Sequence, residues 1–267
     1  NPFFVTRFLK SLYENKLLVP DPASGWRWDF AAIRQMQVTD NVVDFMAEKI
    51  RELPDASLEL IKVCACVGNR FDAEVIAQIL DKPVDEVIGI MEKLAADGFF
   101  VQKRHLYAFH HDRIQEAAYS LVPVPQREQN HCHIGRLVLS QTPEQELFNK
   151  VFYIADQLNQ AQRLIHSGPE RTMLAELNLK AGIKAKEATA YDTAANYLQT
   201  GTQLLPCDPW QSRYRLTYEL YTELMETSYL SRKFKEAESL FDVIIANAET
   251  RADKARAYTV MIVLYTN

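Results

Sequence analysis

Two adjacent histidines, His110 and His111, are the residues whose type and placement best fit a chemical role. They follow Leu106–Phe109, a short apolar run with two aromatic residues, which predicts a β-strand. After them, from Asp112, apolar residues recur at helical spacing. The histidines are therefore expected at a strand-to-helix corner. The first turn of a helix exposes backbone N–H groups and favours an anion, so phosphate binding is the chemistry that this corner suggests.

The chemistry of His111 leaves two interpretations open. In the first, the imidazole reaches a nucleotide phosphate from the start of the helix. In the second, the ring is a corner residue whose hydrogen bond goes to a backbone carbonyl. His110 is expected to be structural or to face solvent. The predicted helix supports either interpretation, because a stripe of apolar residues would bury one side of it: Ile114, Ala117, Ala118 and Leu121.

The run His131-Cys132-His133 invites a metal interpretation, but residues two apart on a helix do not share a face. We therefore expect a solvated helix with one buried residue and no metal site. His105 and His166 stand alone and are expected at the surface. Three tryptophans are expected to be packing anchors: Trp26, Trp28 and Trp210.

Enzymatic motifs are missing from the sequence. It has no GxxxxGK[ST] loop, no acidic Walker B strand and no kinase signature. No Ser-His-Asp or Cys-His order suggests a nucleophile. We therefore assign no catalytic residue, and we do not expect this chain alone to hydrolyse ATP.

The composition is that of an ordinary soluble protein: 267 residues, 48% hydrophobic and 24% charged. The net charge of −5 argues against a nucleic-acid surface. No apolar run is long enough to cross a bilayer. Four cysteines without a CxxC pair indicate reduced, buried thiols in a cytoplasmic protein. Because the chain opens on Asn1 and not on Met, we interpret it as part of a longer protein.

Residues 1–38 are predicted to form a helix over Phe3–Leu18, a loop over Pro20–Gly25 and a short extended piece at Trp26 and Trp28. Residues 39–123 then form a compact domain. Helices are predicted over Asn41–Leu53 and Leu58–Val67, with Asp55 as the cap of the second helix. Further helices are predicted from Asp72 to Leu80 and from Pro83 to Gly98, followed by a hairpin over 99–109 and the helix after His111. This order of elements is that of a winged-helix domain.

The rest of the chain is predicted to be helical. Residues 124–170 supply connecting helices, over Arg127–Leu139 and Gln145–Leu158, with a break at Gly168-Pro169. Residues 171–267 carry tetratricopeptide-like repeats, the last cut short. Small residues in the first repeat are expected to let its paired helices approach closely. The repeat pattern rests on Asn178, Gly182, Ala194, Leu198, Gly201 and Pro206. The fold class is therefore mainly α, with one small β-hairpin and a helical solenoid.

A winged helix raises the possibility of DNA binding through the helix Val84–Ala96. That helix carries four carboxylates against Lys93, so DNA phosphates would be repelled. We expect no nucleic-acid partner and interpret the acidic surface as solvated or facing a protein. The carboxylates are Asp85, Glu86, Glu92 and Asp97.

Several motifs together resemble signal-transduction ATPases with numerous domains, the STAND class. The first residues, Asn1-Pro2-Phe3-Phe4-Val5, resemble the end of that class's GNPFFV stretch. Other segments look like its bacterial multidomain kinase branch, which joins a kinase-like domain, an ATPase module, helical repeats, a GAF sensor and often a histidine kinase. These segments are Gly25–Asp29, Thr39–Asp44, Phe109–Arg113 and Ala117–Tyr119.

The resemblance implies roles for two residues. Pro2 matches the proline of a Gly-x-Pro element that packs on adenine, although the matching glycine would precede this chain. His111 matches the winged-helix histidine that, in some members, reaches the β-phosphate of bound ADP and holds a closed state. Residues 1–38 would be the end of the ATPase's helical lid, and the repeats would be a sensor or scaffold arm.

The resemblance therefore implies a regulatory part of a cytoplasmic signalling kinase, of the serine/threonine or two-component histidine type. ADP or ATP with magnesium would bind the whole protein but not this part tightly. Its partners would be an upstream nucleotide-binding domain and downstream sensor and kinase domains of the same chain, with a further protein on the repeats. Two alternatives stay open: an interaction scaffold in which His111 is inert, and a winged-helix transcriptional regulator.

Overall fold

A computed structural model describes residues 5, 9, 12–13, 16–22, 25–30, 33 and 42–266. The chain divides into two compact units, Asn1–Pro123 and Val124–Asn267. Helices dominate both units, and small antiparallel sheets occur in the first. The prediction of a mainly helical chain with a small β-hairpin is confirmed.

The first unit contains a two-stranded hairpin, β1 (Leu18–Asp21) and β2 (Gly25–Trp28). The extended piece predicted at the tryptophans is confirmed, but the predicted loop is wrong over its first residues, which form β1. Pro20 is tolerated there because a strand with one neighbour leaves half of its N–H groups outside the ladder. The helix predicted over Phe3–Leu18 falls largely outside the described residues, and Leu18 itself belongs to β1.

The tryptophans of this hairpin are not packing anchors. Trp26 and Trp28 are 51% and 52% exposed. Trp26 contacts Tyr13 edge-to-face, with ring centroids 6.2 Å apart, and Trp28 contacts Phe30 in the same way at 5.9 Å. Alternation along β2 puts both indoles on the same face of a hairpin too small to bury it.

Between residues 42 and 123, which are all described, the first unit has five helices and a three-stranded sheet. The sheet has the order β3-β5-β4 and is antiparallel throughout. Strand β3 was not predicted, because three residues carry too little periodicity to be recognised. The elements are α1 (Val42–Arg51), α2 (Asp55–Val67), β3 (Arg70–Asp72), α3 (Ala73–Leu80), α4 (Val84–Ala96), β4 (Phe100–Lys103), β5 (Leu106–Phe109) and α5 (Asp112–Ser120).

Local signals delimit most of these helices. Asp72 caps α3, accepting the N–H of Glu74 at 2.8 Å, as predicted. Gly98 follows α4 with a φ of +74°, the left-handed conformation predicted for it. The cap predicted at Asp55 is wrong: Pro54 precedes α2, and Asp55 lies in its first turn.

The core of the first unit joins the sheet to the helices. One phenylalanine from each strand, Phe71, Phe100 and Phe109, meets the other two edge-to-face, with centroids 4.9–5.5 Å apart. The predicted stripe of α5 is confirmed at Ile114, Ala117 and Ala118, which are buried, while Leu121 is half-buried in the C-cap position. Burial of these faces holds β5 and α5 in fixed positions, and the two elements meet at the histidine pair.

The second unit is a succession of helices, each packed on its neighbour along the chain. Gly168-Pro169, predicted as a break, begins a new helix after Ser167. The helices are α6 (Val124–Gln141), α7 (Glu144–Gln160), α8 (Gly168–Glu187), α9 (Tyr191–Leu204), the single turn α10 (Pro209–Ser212), α11 (Tyr214–Leu230), α12 (Phe234–Asn247) and α13 (Arg251–Thr266), with a 3-10 turn at Gln162–Leu164.

Two glycines permit the close helix contacts predicted for them. A Cβ at Gly182 would lie 2.5 Å from Cγ of Leu198, so the backbone of α8 at Gly182 packs directly against the Leu198 side chain of α9. A Cβ at Gly201 would lie 2.6 Å from Cδ2 of Leu220, so α9 packs equally closely against α11 at this position. Such short separations leave no room for a side chain.

Candidate functional site

The corner at His111 is built by the end of β5 and the start of α5. Phe109 is the last residue of β5, and the N–H of His110 donates to the carbonyl of Phe99 at 2.9 Å. His111 then has an extended backbone, with φ −153° and ψ 144°, and α5 begins at Asp112. The predicted strand-to-helix corner is therefore present, with His111 in the N-cap position.

The side chain of His111 caps α5. Its Nδ1 accepts the backbone N–H of Arg113 at 3.1 Å, and its carbonyl accepts the N–H of Ile114 at 2.9 Å. Two of the N–H groups at this helix start are therefore bonded to His111 itself. The expectation of exposed N–H groups awaiting an anion is wrong for these two, because the imidazole accepts the first and the backbone carbonyl of His111 accepts the second.

The cap determines which ring nitrogen carries the hydrogen. Because Nδ1 accepts a hydrogen bond, its lone pair is in use and the neutral ring carries its hydrogen on Nε2. The ring atom of His111 suited to a phosphate oxygen is thus the Nε2–H donor. The bond at Nδ1 differs from the one in the second interpretation, because its backbone partner is an N–H donor and not a carbonyl.

Asn69, between α2 and β3, ties down the same corner. Its carbonyl accepts the N–H of Phe109 at 3.1 Å, and its side-chain amide donates to Oδ1 of Asp112 at 3.2 Å. A second bond runs from Nε2 of Gln115 to the carbonyl of Ala65 at 3.3 Å. The end of α2 therefore holds the start of α5, a relationship that the sequence did not indicate.

Charges near the corner are of mixed sign. Arg113 pairs with Glu116 one turn later, at 2.5 Å. Arg70 is exposed on β3, opposite Ala108 of β5. The carboxylates of α4 (Asp85, Glu86 and Glu92) and of Asp97, which follows the helix, are all exposed, as expected of an acidic surface.

Other candidates from the sequence are accounted for differently. Pro2 lies outside the described residues. His110, His105 and His166 are exposed. In the triplet on α6, His131 and Cys132 are both buried, so the expectation of a single buried residue is wrong.

The ring of His131 is part of the packing of α6 on α7. Its Nδ1 lies 2.7 Å from Oε1 of Gln157, and burial lowers the pKa of the imidazole despite that bond. Among the described residues, no group of three or more His, Cys, Asp or Glu side chains is arranged to hold a metal ion.

A charged cluster between α8 and α11 was missed in the sequence. Nζ of Lys186 lies 2.5 Å from Glu223 and 2.8 Å from Glu226, and all three side chains are largely shielded. Burial lowers the pKa of Lys186, but the hydrogen bonds and charges of the two glutamates outweigh burial and raise it. The (i, i+3) spacing of the glutamates was visible, but their partner lies a whole repeat away.

Comparison with known proteins places the chain near a signalling kinase. No protein-family profile matches it, and no solved structure matches it. Hybrid signal transduction histidine kinase G of Dictyostelium discoideum is 24% identical over 332 aligned residues, which cover 98% of this chain and 10% of that protein. The chain thus spans about a tenth of this relative. The match supports a relationship to signalling kinases.

Within the described part of the chain, no helix has both the length and the apolar character needed to cross a membrane.

Proposed function

We propose that this chain is a regulatory part of a multidomain signalling kinase that couples the ADP or ATP state of a STAND-class ATPase module to a helical-repeat arm. The nucleotide, with magnesium, would bind mainly to a domain elsewhere in the protein. Residues 39–123 would close on the ADP-bound domain, and residues 171–267 would move when ATP replaces ADP. The match to a histidine kinase along 98% of the chain supports the proposal that this chain is part of a signalling kinase.

The first unit supports the winged-helix assignment through its order of elements. Helices α1 and α2, strand β3, helices α3 and α4, and the hairpin β4–β5 follow one another, and the sheet order is β3-β5-β4. The acidic face of α4 argues against DNA as the ligand of this unit. We therefore assign the surface of this unit to a contact with another domain of the same protein.

The second unit supports the repeat assignment. Pairs α8–α9 and α11–α12 succeed each other. Gly182 lies where α8 touches α9, and Gly201 lies where α9 touches α11 of the next pair. Repeats of this type contact only their neighbours, so a change at one end can reorient the whole arm.

The observation that carries the nucleotide role is the capping bond of His111. Nδ1 of the imidazole accepts the N–H of Arg113, so the neutral ring carries its hydrogen on Nε2. The corner that positions the ring is formed by β5 and α5. A single Nε2–H donor suits one phosphate oxygen. The proposal requires two domain arrangements that differ in affinity for ADP and ATP, since a ligand with equal affinity for both would shift nothing.

The test is the nucleotide content of the full-length protein. The protein is purified and denatured, and the released nucleotide is identified by chromatography, for the wild type, His111→Ala and His111→Asn. Asparagine is a strong N-cap residue, so His111→Asn keeps the cap of α5 while withdrawing the long imidazole donor. We expect ADP in the wild type and a loss of ADP in both variants. His105→Ala, at an exposed position in the same unit, should retain ADP.

Retention of ADP by His111→Asn together with loss by His111→Ala would assign His111 to capping alone. Equal retention in all variants would also remove the phosphate role. ADP and ATP bound without any change in domain arrangement would end the switch proposal.

A plain interaction scaffold is the second candidate, and one observation favours it. Helix α13 carries three apolar residues, Tyr258, Ile262 and Val263, that are between 49% and 61% exposed. The scaffold predicts no nucleotide in any variant, and capture of one defined protein by the intact chain but not by Ile262→Asp.

A further inference from the structure

We infer that Asn69 is a positioning residue for His111. Asn69 bonds the corner at two places, accepting the N–H of Phe109 with its carbonyl at 3.1 Å and donating to Oδ1 of Asp112 from its amide at 3.2 Å. Phe109 and Asp112 are the residues directly before and after the histidine pair. One side chain and its own backbone therefore hold the chain on both sides of His110 and His111.

Asn69 is itself held by rigid structure. Gly68 ends α2 with a φ of +135°, a conformation open to glycine, and turns the chain into β3. Strand β3 then pairs with β5, Arg70 opposite Ala108, so the bond from Phe109 to Asn69 extends that ladder by one step. Because the backbone carbonyl of Asn69 is hydrogen-bonded to the end of β5, the position from which its side-chain amide reaches Asp112 is fixed.

The bond to Asp112 matters to His111 because both side chains lie at the start of α5. A carboxylate in the first helical turn can itself accept N–H groups there, in competition with the capping residue. The amide of Asn69 occupies Oδ1 of Asp112 and fixes its rotamer. The N–H of Arg113 is then left to Nδ1 of His111, which keeps the ring hydrogen on Nε2.

A second bond supports the same alignment. The carbonyl of Ala65 belongs to the last turn of α2, where carbonyls have no partner within the helix, and it accepts from Gln115 of α5. The end of α2 thus holds α5 at its first residue and one turn later. The functional consequence rests on the function proposed above: Asn69 does not touch nucleotide, but it sets where Nε2–H points.

The direct test observes the ring of His111 by NMR in this chain labelled with [15N]histidine. The chain has 6 histidines, so the ring spectrum is sparse. We compare the wild type with Asn69→Ala, Asn69→Asp, Asp112→Asn and the double exchange Asn69→Asp with Asp112→Asn. The exchange restores an amide–carboxylate pair with the two roles reversed. The ring of His105, in the same unit, serves as the reference for an intact fold.

In the wild type we expect the spectrum of an Nε2–H ring with Nδ1 in a hydrogen bond. Asn69→Ala should move it towards a mixture of tautomers, and hydrogen exchange at the Arg113 amide should rise roughly three- to tenfold, the effect of losing one exposed hydrogen bond. Asn69→Asp should act in the same direction, and the double exchange should return the wild-type spectrum. A purely structural loss at Asn69 would not be reversed by a second change at Asp112.

An unchanged His111 spectrum in Asn69→Ala would overturn the inference, as would failure of the double exchange to reverse Asn69→Asp. In the full-length protein, Asn69→Ala should lower the ADP content less than His111→Ala does. If Asn69→Ala moves the ring signals but His111→Ala retains ADP, the positioning role stands and the proposed function fails. If His111→Ala loses ADP while Asn69→Ala changes neither ring nor ADP, the proposed function stands and the positioning role fails.

Discussion

Asn159 of α7 and Asn178 of α8 exchange two hydrogen bonds of 2.9 Å, each amide donating to the carbonyl oxygen of the other. Asn178 is fully buried and also donates to the carbonyl of Leu174. The pair lies within the apolar packing of the second unit. A reciprocal amide pair of this kind fixes the register of two helices, because any slide or rotation leaves buried polar atoms without partners.

We predict that Asn178→Leu lowers the free energy of unfolding of the chain by about 1–3 kcal/mol, because the amide of Asn159 is then left without its partner. Urea unfolding followed by circular dichroism measures the change. The double variant Asn159→Leu with Asn178→Leu should recover part of the loss, since both polar groups are removed together. A double variant less stable than Asn178→Leu would contradict this account of the pair.

Gly182 allows α8 and α9 to touch, and any side chain there meets Leu198 at 2.5 Å. We predict that Gly182→Ala lowers the free energy of unfolding by about 1–3 kcal/mol, the usual cost of overpacking, despite the better helix propensity of alanine. The matched control is Gly168→Ala on the same helix, where a Cβ meets nothing within 4 Å. Thermal unfolding compares the two variants, and Leu198→Ala should relieve the clash.

The start of α13 carries a carboxylate that stabilises the fold in a pH-dependent way. Hydrogen bonds from Thr250 and Tyr214 lower the pKa of Asp253 below its ordinary value of 3.8. A carboxyl whose pKa is lower in the folded state contributes stability above its unfolded pKa and loses it as the pH falls through the folded pKa. The contribution is thus complete at about pH 6, begins to fall near pH 4 and is lost only as the pH drops through the lower folded pKa.

Asp253→Asn should therefore be less stable than the wild type at pH 6, and the difference should shrink as the pH falls below about 4. Unfolding temperatures of the two proteins, measured from pH 6 to pH 3, give the comparison. The control is Asp242→Asn, at an exposed position of α12, which should show no such convergence. A stability difference that is independent of pH would mean that the charge of Asp253 has no part in it.

Elements governed by neighbouring residues were predictable from the sequence. The caps at Asp72 and Gly98 depend on one side chain or one backbone angle and on the helix beside them. Helical stripes such as that of α5 follow from spacing alone. The corner at His111 was predictable for the same reason, because β5 and α5 are each recognisable from the pattern of a few neighbouring residues.

The state of that corner was decided only by the tertiary structure. The sequence placed His111 beside a helix start but could not say that its ring would cap the helix, nor that Asn69, more than 40 positions earlier, would bond Asp112. The same holds for strand β3, which is recognisable only through its pairing with β5.

The sequence by itself determined a mainly helical chain and the strand-to-helix corner at His111, because those features depend on residues close together along the chain. The tertiary structure decided the partners: Asn159 with Asn178, Lys186 with Glu223 and Glu226, and Asn69 with the histidine corner. It also decided that Trp26 and Trp28 are exposed. The physical reason is that hydrogen bonds and burial depend on distances in space, which packing sets between residues far apart in the sequence.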